Sequence, residues 1–296
     1  MNLFFDKAVV PLLCVAAICW RCHGADFVSV ARVQDKRINE SSGLAISYQN
    51  PNAIWIHNDS GDKPRLFLVG LDGATQAIVE VVGAEACDWE DMCSFQIDGE
   101  SWLLIGNVGD NLTRRGNGLP NSLPACRLYL LKEPAIPTAN GLPTISCDVS
   151  STITFFYRDG PANCEGVAVD VERKEILLLT KSLPHKCGLY RLPLNTRDVR
   201  QKRFASKIAD TFVLFATALD ISPDGRTMVI GTMFNGLAVT RTPAQTWTDA
   251  LTEPGTAFNL PPRLQGETIC FDTTGKWLYV NSERSGQPLW RVNKPK

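Results

Sequence analysis

Gln265-Gly266-Glu267-Thr268-Ile269-Cys270-Phe271-Asp272-Thr273-Thr274-Gly275-Lys276-Trp277-Leu278-Tyr279-Val280-Asn281-Ser282-Glu283 reads as one strand, a tight turn and a second strand, with an acid at each outer end. Four earlier segments echo it. They start at Asn39-Glu40-Ser41-Ser42-Gly43-Leu44, Asp88-Trp89-Glu90-Asp91-Met92, Glu165-Gly166-Val167-Ala168-Val169-Asp170 and Thr217-Ala218-Leu219-Asp220-Ile221. The starts recur at roughly 50-residue intervals with one longer gap, the spacing of four-stranded propeller blades.

Working outward, each start leads into further strands. The first unit continues through residues 53–59, 65–71 and 76–82. The second continues through 101–107, then 127–131 and 152–157 on either side of a Pro-rich excursion. The third has 175–181, 188–192 and 202–208. The fourth has 228–232 and 237–240, after a Pro223-Asp224-Gly225 turn, with a short helix over 244–251. The fifth ends at residues 288–292 and lacks a fourth strand. Residues 27–33 alternate apolar and polar side chains, as a strand does, and would complete the last blade and close the ring. The expectation is an all-β protein, a β-propeller of five four-stranded blades closed by the N-terminal strand. A sixth blade has room only in the long second unit. A β-sandwich leaves the repetition unexplained.

The chain of 296 residues is 44% hydrophobic, enough to bury a full core. With 30 basic residues against 31 acidic ones, there is no net positive field for nucleic acid or an anionic membrane surface. Lys7, the apolar run from Ala8 to Trp20 and Arg21-Cys22-His23-Gly24-Ala25 have the order of a secretory signal peptide. The run is shorter than the ~20 helical residues that cross a bilayer. The expected division is a signal peptide over residues 1–25, cut near Gly24 or Ala25, and one domain over 26–296. The mature chain is then secreted or periplasmic, with no membrane insertion.

Of 10 cysteines, Cys14, Cys19 and Cys22 leave with that segment. In an oxidising compartment several of Cys87, Cys93, Cys126, Cys147, Cys164, Cys187 and Cys270 would pair, with Cys164–Cys187 and Cys126–Cys147 as candidates. A cysteine zinc site is disfavoured, because no mature pair has two-residue spacing.

In a propeller the first strand of each blade lines the central channel. Residues just before it and just after the second strand therefore reach one rim. The first set is Glu40, Ser42, Glu90, Glu165, Thr217 and Glu267; the second includes Asn58, Asp59, Asp62, Asn107, Asp110, Asn111, Lys181, Asn235, Glu283 and Arg284. Crowded carboxylates repel unless they protonate, pair with cations or coordinate a metal. Oxygen donors suit calcium, with Glu40, Asp59, Glu90, Asp110, Glu165, Glu267 and Glu283 as candidate ligands. Lys181, Arg114, Arg115 and Arg284, with Asn111, are placed to hold an anionic ligand. Glu90 and Glu267 are the candidate general bases. The competing structural role is that an acid at a strand start accepts backbone N–H bonds from the neighbouring blade and pins the ring.

Other chemistry lacks support. There is no Gly-x-Ser-x-Gly elbow, Walker loop or dinucleotide fingerprint. His57 at a strand end offers a base, although a lone histidine there is more often structural. Trp55, Trp89, Trp102, Trp277 and Trp290 alternate within strands as packing residues do, and a rim tryptophan could stack on a sugar. Asn39-Glu40-Ser41, Asn58-Asp59-Ser60 and Asn111-Leu112-Thr113 match the glycosylation acceptor pattern.

The phrases at Glu165–Asp170, Gln265–Ile269 and Asn39–Leu44 together resemble the blade starts of secreted propellers in the phytase-like and SdiA-regulated group. That resemblance implies a calcium-associated propeller acting on phosphoesters or other esters. The chain departs from the group in suggesting five blades where six are usual and in its extra cysteines. Two functions follow as expectations: an exported calcium-binding hydrolase of small anionic esters, or a non-catalytic propeller that binds a carbohydrate or protein.

Overall fold

The computed structural model describes residues 26–110, 115, 125–138, 140–181, 187–211 and 213–295. Residues 1–25, Asn111, Arg114 and the Asn111-Leu112-Thr113 triplet lie outside the described residues.

The described residues are all-β apart from one four-residue helix. β1 (Phe27–Arg32) precedes a run of β2 (Ser41–Ile46), β3 (Ala53–Asn58), β4 (Arg65–Gly70) and β5 (Thr75–Val82). Next come β6 (Trp89–Ile97), β7 (Glu100–Asn107), β8 (Cys126–Lys132), β9 (Thr144–Asp148) and β10 (Ser151–Tyr157). β11 (Cys164–Asp170), β12 (Glu175–Thr180), β13 (Cys187–Pro193) and β14 (Arg200–Thr211) form the third run. β15 (Ala216–Ile221), β16 (Thr227–Thr232), β17 (Asn235–Thr240), α1 (Trp247–Ala250) and β18 (Thr256–Asn259) follow, and β19 (Cys270–Phe271), β20 (Trp277–Val280) and β21 (Pro288–Asn293) end the chain.

The sheet orders are β2-β3-β4-β5-β9, β11-β12-β13-β14-β10-β8-β7-β6, β15-β16-β17-β18 and β1-β21-β20-β19. Pairing is antiparallel except for β5 with β9 and β10 with β14, which run parallel. β1 pairs with β21, Phe27 opposite Val292. The first strands β2, β6, β11, β15 and β19 are neighbours in that order, and β19 also lies against β2.

Burial explains why the runs read differently. Every residue of β2, β3, β11, β15 and β16 is buried, so these strands are covered on both faces. β10 alternates buried with half-buried positions, because one face meets solvent. The apolar side chains fall into clusters between successive units. Trp55, Leu68, Trp89 and Leu103 join the first unit to the second, and Leu104, Phe155, Val167 and Leu178 join the second to the third. Leu177, Leu219 and Trp247 join the third to the fourth, Val229, Phe271 and Leu278 the fourth to the fifth, and Leu44, Ile56 and Tyr279 the fifth to the first. Each fully buried Leu or Phe contributes about 1.5–3 kcal/mol over exposure, so these seams carry much of the stability.

Three elements differ from the sequence-based expectation. The Pro-rich excursion contains β9, which adds to the first unit's sheet instead of starting a separate one. The fourth unit has a fourth strand, β18, beyond a helix shorter than anticipated. β14 extends from Arg200 to Thr211 and joins two units by pairing with β10.

The cysteine pairing does not occur: no disulfide joins Cys87, Cys93, Cys126, Cys147, Cys164, Cys187 or Cys270. The reason is orientation. Cys126 Sγ faces the Val108 carbonyl and Cys147 Sγ the Lys132 carbonyl, while Cys164 Sγ faces Gly166 and Cys187 Sγ faces Val213. Most of the seven are buried and pack as small apolar side chains.

Candidate metal centre

The register slips at the start of the first strand in four units. The slips fall between Ser41 and Gly43, Trp89 and Met92, Cys164 and Gly166, and Ala216 and Ala218. The residues left over are Ser42, Glu90 with Asp91, Glu165 and Thr217. A bulge leaves its extra residue unpaired and re-aims the side chain, which turns these positions toward one end of the inner strands. One recurring hydrogen bond then sets the second-strand exits beside them. Asp59 N–H donates to the Glu40 carbonyl (2.8 Å), Val108 to Asp88 (3.0 Å), Lys181 to Asn163 (2.8 Å) and Glu283 to Gln265 (3.1 Å). Glu267 occupies the corresponding place in the fifth unit, two residues after Gln265.

Two carboxylate groups result, Asp59 with Asp88 and Glu90, and Asp59 with Glu267 and Glu283. Within each, one oxygen per residue lies within 4.8 Å of the others. Asp59 belongs to both. Glu90 is 4% exposed and Glu267 8%, so solvent screens them little. The backbone makes room for this. A Cβ on Gly109 would stand 2.0 Å from Glu90 Oε1 and 2.7 Å from Asp88 Oδ2, so a side chain there would push these carboxylates aside.

Burial and mutual repulsion raise the proton affinity of Asp59, Glu90 and Glu283. Asp59 is pushed up to about 7 by burial, with Asp88, Glu267 and Glu165 adding to it. Burial, then the charges of Glu165, Asp59, Asp88 and Glu267, hold Glu90 well above the carboxylate range. Glu283 rises to about 8 through burial, the charge of Glu267 and a hydrogen bond to the Glu267 side chain. Two carboxylates sharing a hydrogen bond must hold a proton between them. Gln265 Nε2 donates to both, at 3.2 Å to Glu267 and 2.7 Å to Glu283.

Glu165 is differently placed. Lys181 Nζ is 3.1 Å from it and Asn163 Nδ2 donates at 2.6 Å, yet burial still lifts it to about 7. Lys181 is thus engaged with Glu165, which raises the lysine against the opposing effect of burial.

The remaining candidates lie outside the two groups. Glu40 is exposed, near enough for its charge to act on Glu283. Asp110 is buried and accepts from Arg115 N at 3.1 Å, while its own N–H donates to Asn163 Oδ1. Arg115 is buried too, its Nη2 donating to Asn107 Oδ1 at 3.0 Å. Arg284 is exposed, in the left-handed backbone region at φ 78°, its N–H donating to the Asn39 carbonyl at 2.7 Å. Asn58 and Asn107 fasten loops: Asn58 Oδ1 accepts from the amides of Asn39 and Glu40, and Asn107 Oδ1 from that of Asp88. Ser42 Oγ donates to the Glu90 carbonyl, and Thr217 Oγ to the Gly266 carbonyl at 2.9 Å, tying adjacent units. Asp88 is the residue that sequence reasoning left out of the ligand set. Its signal was the run of three acids within Asp88-Trp89-Glu90-Asp91.

Beneath this mouth the acids have another task. Asp91 Oδ2 accepts from Val167 N at 2.9 Å and Leu219 N at 3.1 Å, and Oδ1 from Met92 N at 2.9 Å. Asp220 Oδ2 accepts from Phe271 N at 2.7 Å and Oδ1 from Ile221 N at 2.8 Å. These bonds satisfy inward-facing amides on successive first strands. Burial nevertheless holds Asp91 well above the usual range and lifts Asp220 to about 7. The pinning role anticipated for an acid at a strand start is therefore performed by Asp91.

His57 is fully buried, edge-on to Trp89 at 5.2 Å, and burial lowers it to about 4. It stays neutral near pH 7 and packs where a Cβ on Gly43 would meet its ring at 2.0 Å. At the opposite end of the inner strands, Tyr48, Phe95, Val169, Asp220, Ile221 and Thr273 help to line a cavity of about 330 Å³.

The two groups present carboxylate oxygens, the donor set of a hard cation, and Asp59 is the residue through which both would be engaged.

No protein-family model matches the sequence, and no curated protein matches it. Solved structures similar to this chain include a sugar dehydrogenase, a gluconolactonase and a propeller. The PQQ-bound aldose sugar dehydrogenase of Streptomyces coelicolor aligns over 90% of this chain and 97% of its own, at 9% identity and a TM-score of 0.49. A gluconolactonase of Xanthomonas campestris aligns over 91% and 89%, at 10% identity and a TM-score of 0.48. The Dos1 propeller aligns over 86% and 69%, at 9% identity and a TM-score of 0.39.

Proposed function

We propose that this chain is an exported five-bladed propeller, closed by β1, that binds calcium at its carboxylate mouth and hydrolyses a small anionic ester there. The five-blade reading is supported by the five runs, by the apolar seams between successive units and by the contact of β19 with β2. Closure is supported by the pairing of β1 with β21. Export rests on the order of residues 1–25, and N-terminal sequencing of the mature protein tests it, a start near Ala25 or Asp26 being expected.

The observation that carries the metal reading is the sharing of Asp59 by two carboxylate groups. Five crowded acids, with proton affinity raised at Asp59, Glu90 and Glu283, favour either protonation or a divalent cation, and oxygen donors without His or Cys select calcium over zinc or copper. Asp59, Asp88, Glu90, Glu267 and Glu283 would hold the ion. Bound there, it would supply a Lewis acid for an ester oxygen. Lys181, 3.1 Å from Glu165, keeps a cation at the edge of the mouth for an anionic group, with Arg284 exposed farther out. Water would be the nucleophile, and whichever of Glu90 and Glu267 the ion leaves unligated would act as the general base that takes its proton.

Calorimetric titration of calcium into chelator-stripped protein, with Glu90→Gln and Glu267→Gln alongside, tests the site. Uptake by the wild type that weakens at least tenfold in either variant is expected. No uptake removes both the metal and the ester chemistry. Phosphate release from a panel of esters then separates a hydrolase from a non-catalytic propeller that binds a carbohydrate or protein; uptake without turnover selects the second.

A further inference from the structure

Far from the mouth in the fold, β10 and β14 pair in parallel, with Thr152 opposite Arg200, Thr154 opposite Lys202 and Phe156 opposite Phe204. Residues in register share a face. On this face Arg200, Lys202 and Phe204 are exposed and Thr152, Thr154 and Phe156 half-buried, while Ser151, Ile153, Phe155 and Gln201 point into the protein. Phe204 is 52% exposed and Val199, one residue before β14, 66%. The two phenyl rings lie 5.9 Å apart. The Arg158 guanidinium sits 5.2 Å from the Phe204 ring, and the Lys202 ammonium 5.2 Å from the Phe156 ring.

The charge here is unbalanced. Residues 197–204 hold Arg197, Arg200, Lys202 and Arg203 against Asp198 alone. Among the described residues Arg203 pairs with Asp198 at 3.8 Å, and no carboxylate pairs with Arg158, Arg200 or Lys202. The near-zero net charge of the whole chain conceals this local excess.

From this geometry we propose that the β10–β14 face is a docking surface for an anionic lipid bilayer, with Phe204 and Phe156 entering the headgroup region and Arg158, Arg200 and Lys202 meeting lipid phosphates. Exposed apolar residues ringed by cations are what an interfacial anchor needs. A peptide partner fits less well. β10 is paired on both sides, with β8 and with β14, and the face itself presents side chains, not a backbone edge, so strand addition is not how it would be engaged. Side chains alone must make the contact, and a lipid surface asks only for charge and an apolar phase. This site is independent of the mouth and of any catalysis.

Co-sedimentation with vesicles tests it. One set is phosphatidylcholine alone, the other carries roughly one-third phosphatidylglycerol. The full chain is expected on the anionic vesicles only, and less of it as salt rises. The double variant Arg158→Gln/Lys202→Gln should bind about thirtyfold more weakly, from about fivefold per charge. Phe204→Ser, at an exposed position that folding does not need, should cost about tenfold or more through lost apolar burial. Equal binding to both vesicle types, no binding, or undiminished binding by both variants would overturn the proposal. So would capture by polyglutamate without vesicle binding, which would assign the face to an acidic protein.

Discussion

Glu90 and Asp91 are neighbours in one bulge, both almost out of solvent, and they serve opposite ends. Asp91 turns inward and gathers three backbone amides from β6, β11 and β15. Glu90 turns to the mouth and meets other carboxylates. Burial raises the proton affinity of both, but only Asp91 has donors that compensate for its charge. The difference teaches that a buried acid is structural when backbone N–H groups converge on it. It is functional in prospect when what converges is more negative charge.

The largest expected effect comes from the inward member. Asp91→Ala strands the amides of Val167 and Leu219 and should cost about 3 kcal/mol in urea unfolding, whereas Glu90→Gln should cost less than about 1 kcal/mol. Equal losses would break the contrast. Next is the backbone beneath the mouth: Gly109→Ala should cost about 1–3 kcal/mol by overpacking and also weaken calcium uptake, because the new Cβ displaces Glu90 and Asp88. A stable variant with intact uptake would show that this loop does not support the carboxylates.

A third test uses pH. Asp59 at about 7, Glu165 at about 7 and Glu283 at about 8 all lie above the ~4 of an unfolded carboxylate. The folded chain therefore binds more protons than the unfolded one between those values. In chelator, stability should fall as pH rises from 5 to 9, by on the order of 2 kcal/mol once solvent screening is allowed for. Calcium should reverse the slope, since it replaces the lost protons. A calcium-independent profile in thermal melts would count against the shared site. A smaller effect than these is expected in urea unfolding at Thr217→Val, which removes one tie between units, at about 1 kcal/mol.

Much of the fold was visible in the sequence because the first strands are buried on both faces and read as apolar runs after a polar start. β9 and β18 were not, since β9 follows Pro143 and β18 lies at a sheet edge with half or more of its residues exposed. Asp59, Glu90, Glu267 and Glu283, which the structure gathers, were legible from their place at the strand ends. Asp88 was not, because its register depends on a bulge of two residues instead of one. Asp110 looked equivalent to Asp59, yet the amide of Arg115 holds it elsewhere, a contact that spans a loop and leaves no periodic trace. The thiols defeated prediction for a related reason: pairing needs facing Cβ vectors, which spacing does not encode.

The most direct measurement is calcium titration near pH 7 in two buffers of different ionisation enthalpy. If the mouth is a set of carboxylates holding protons in place of a cation, uptake by the wild type releases protons and Asp59→Asn, which touches both groups, abolishes it. Binding without proton release, or wild-type affinity in Asp59→Asn, would contradict the account.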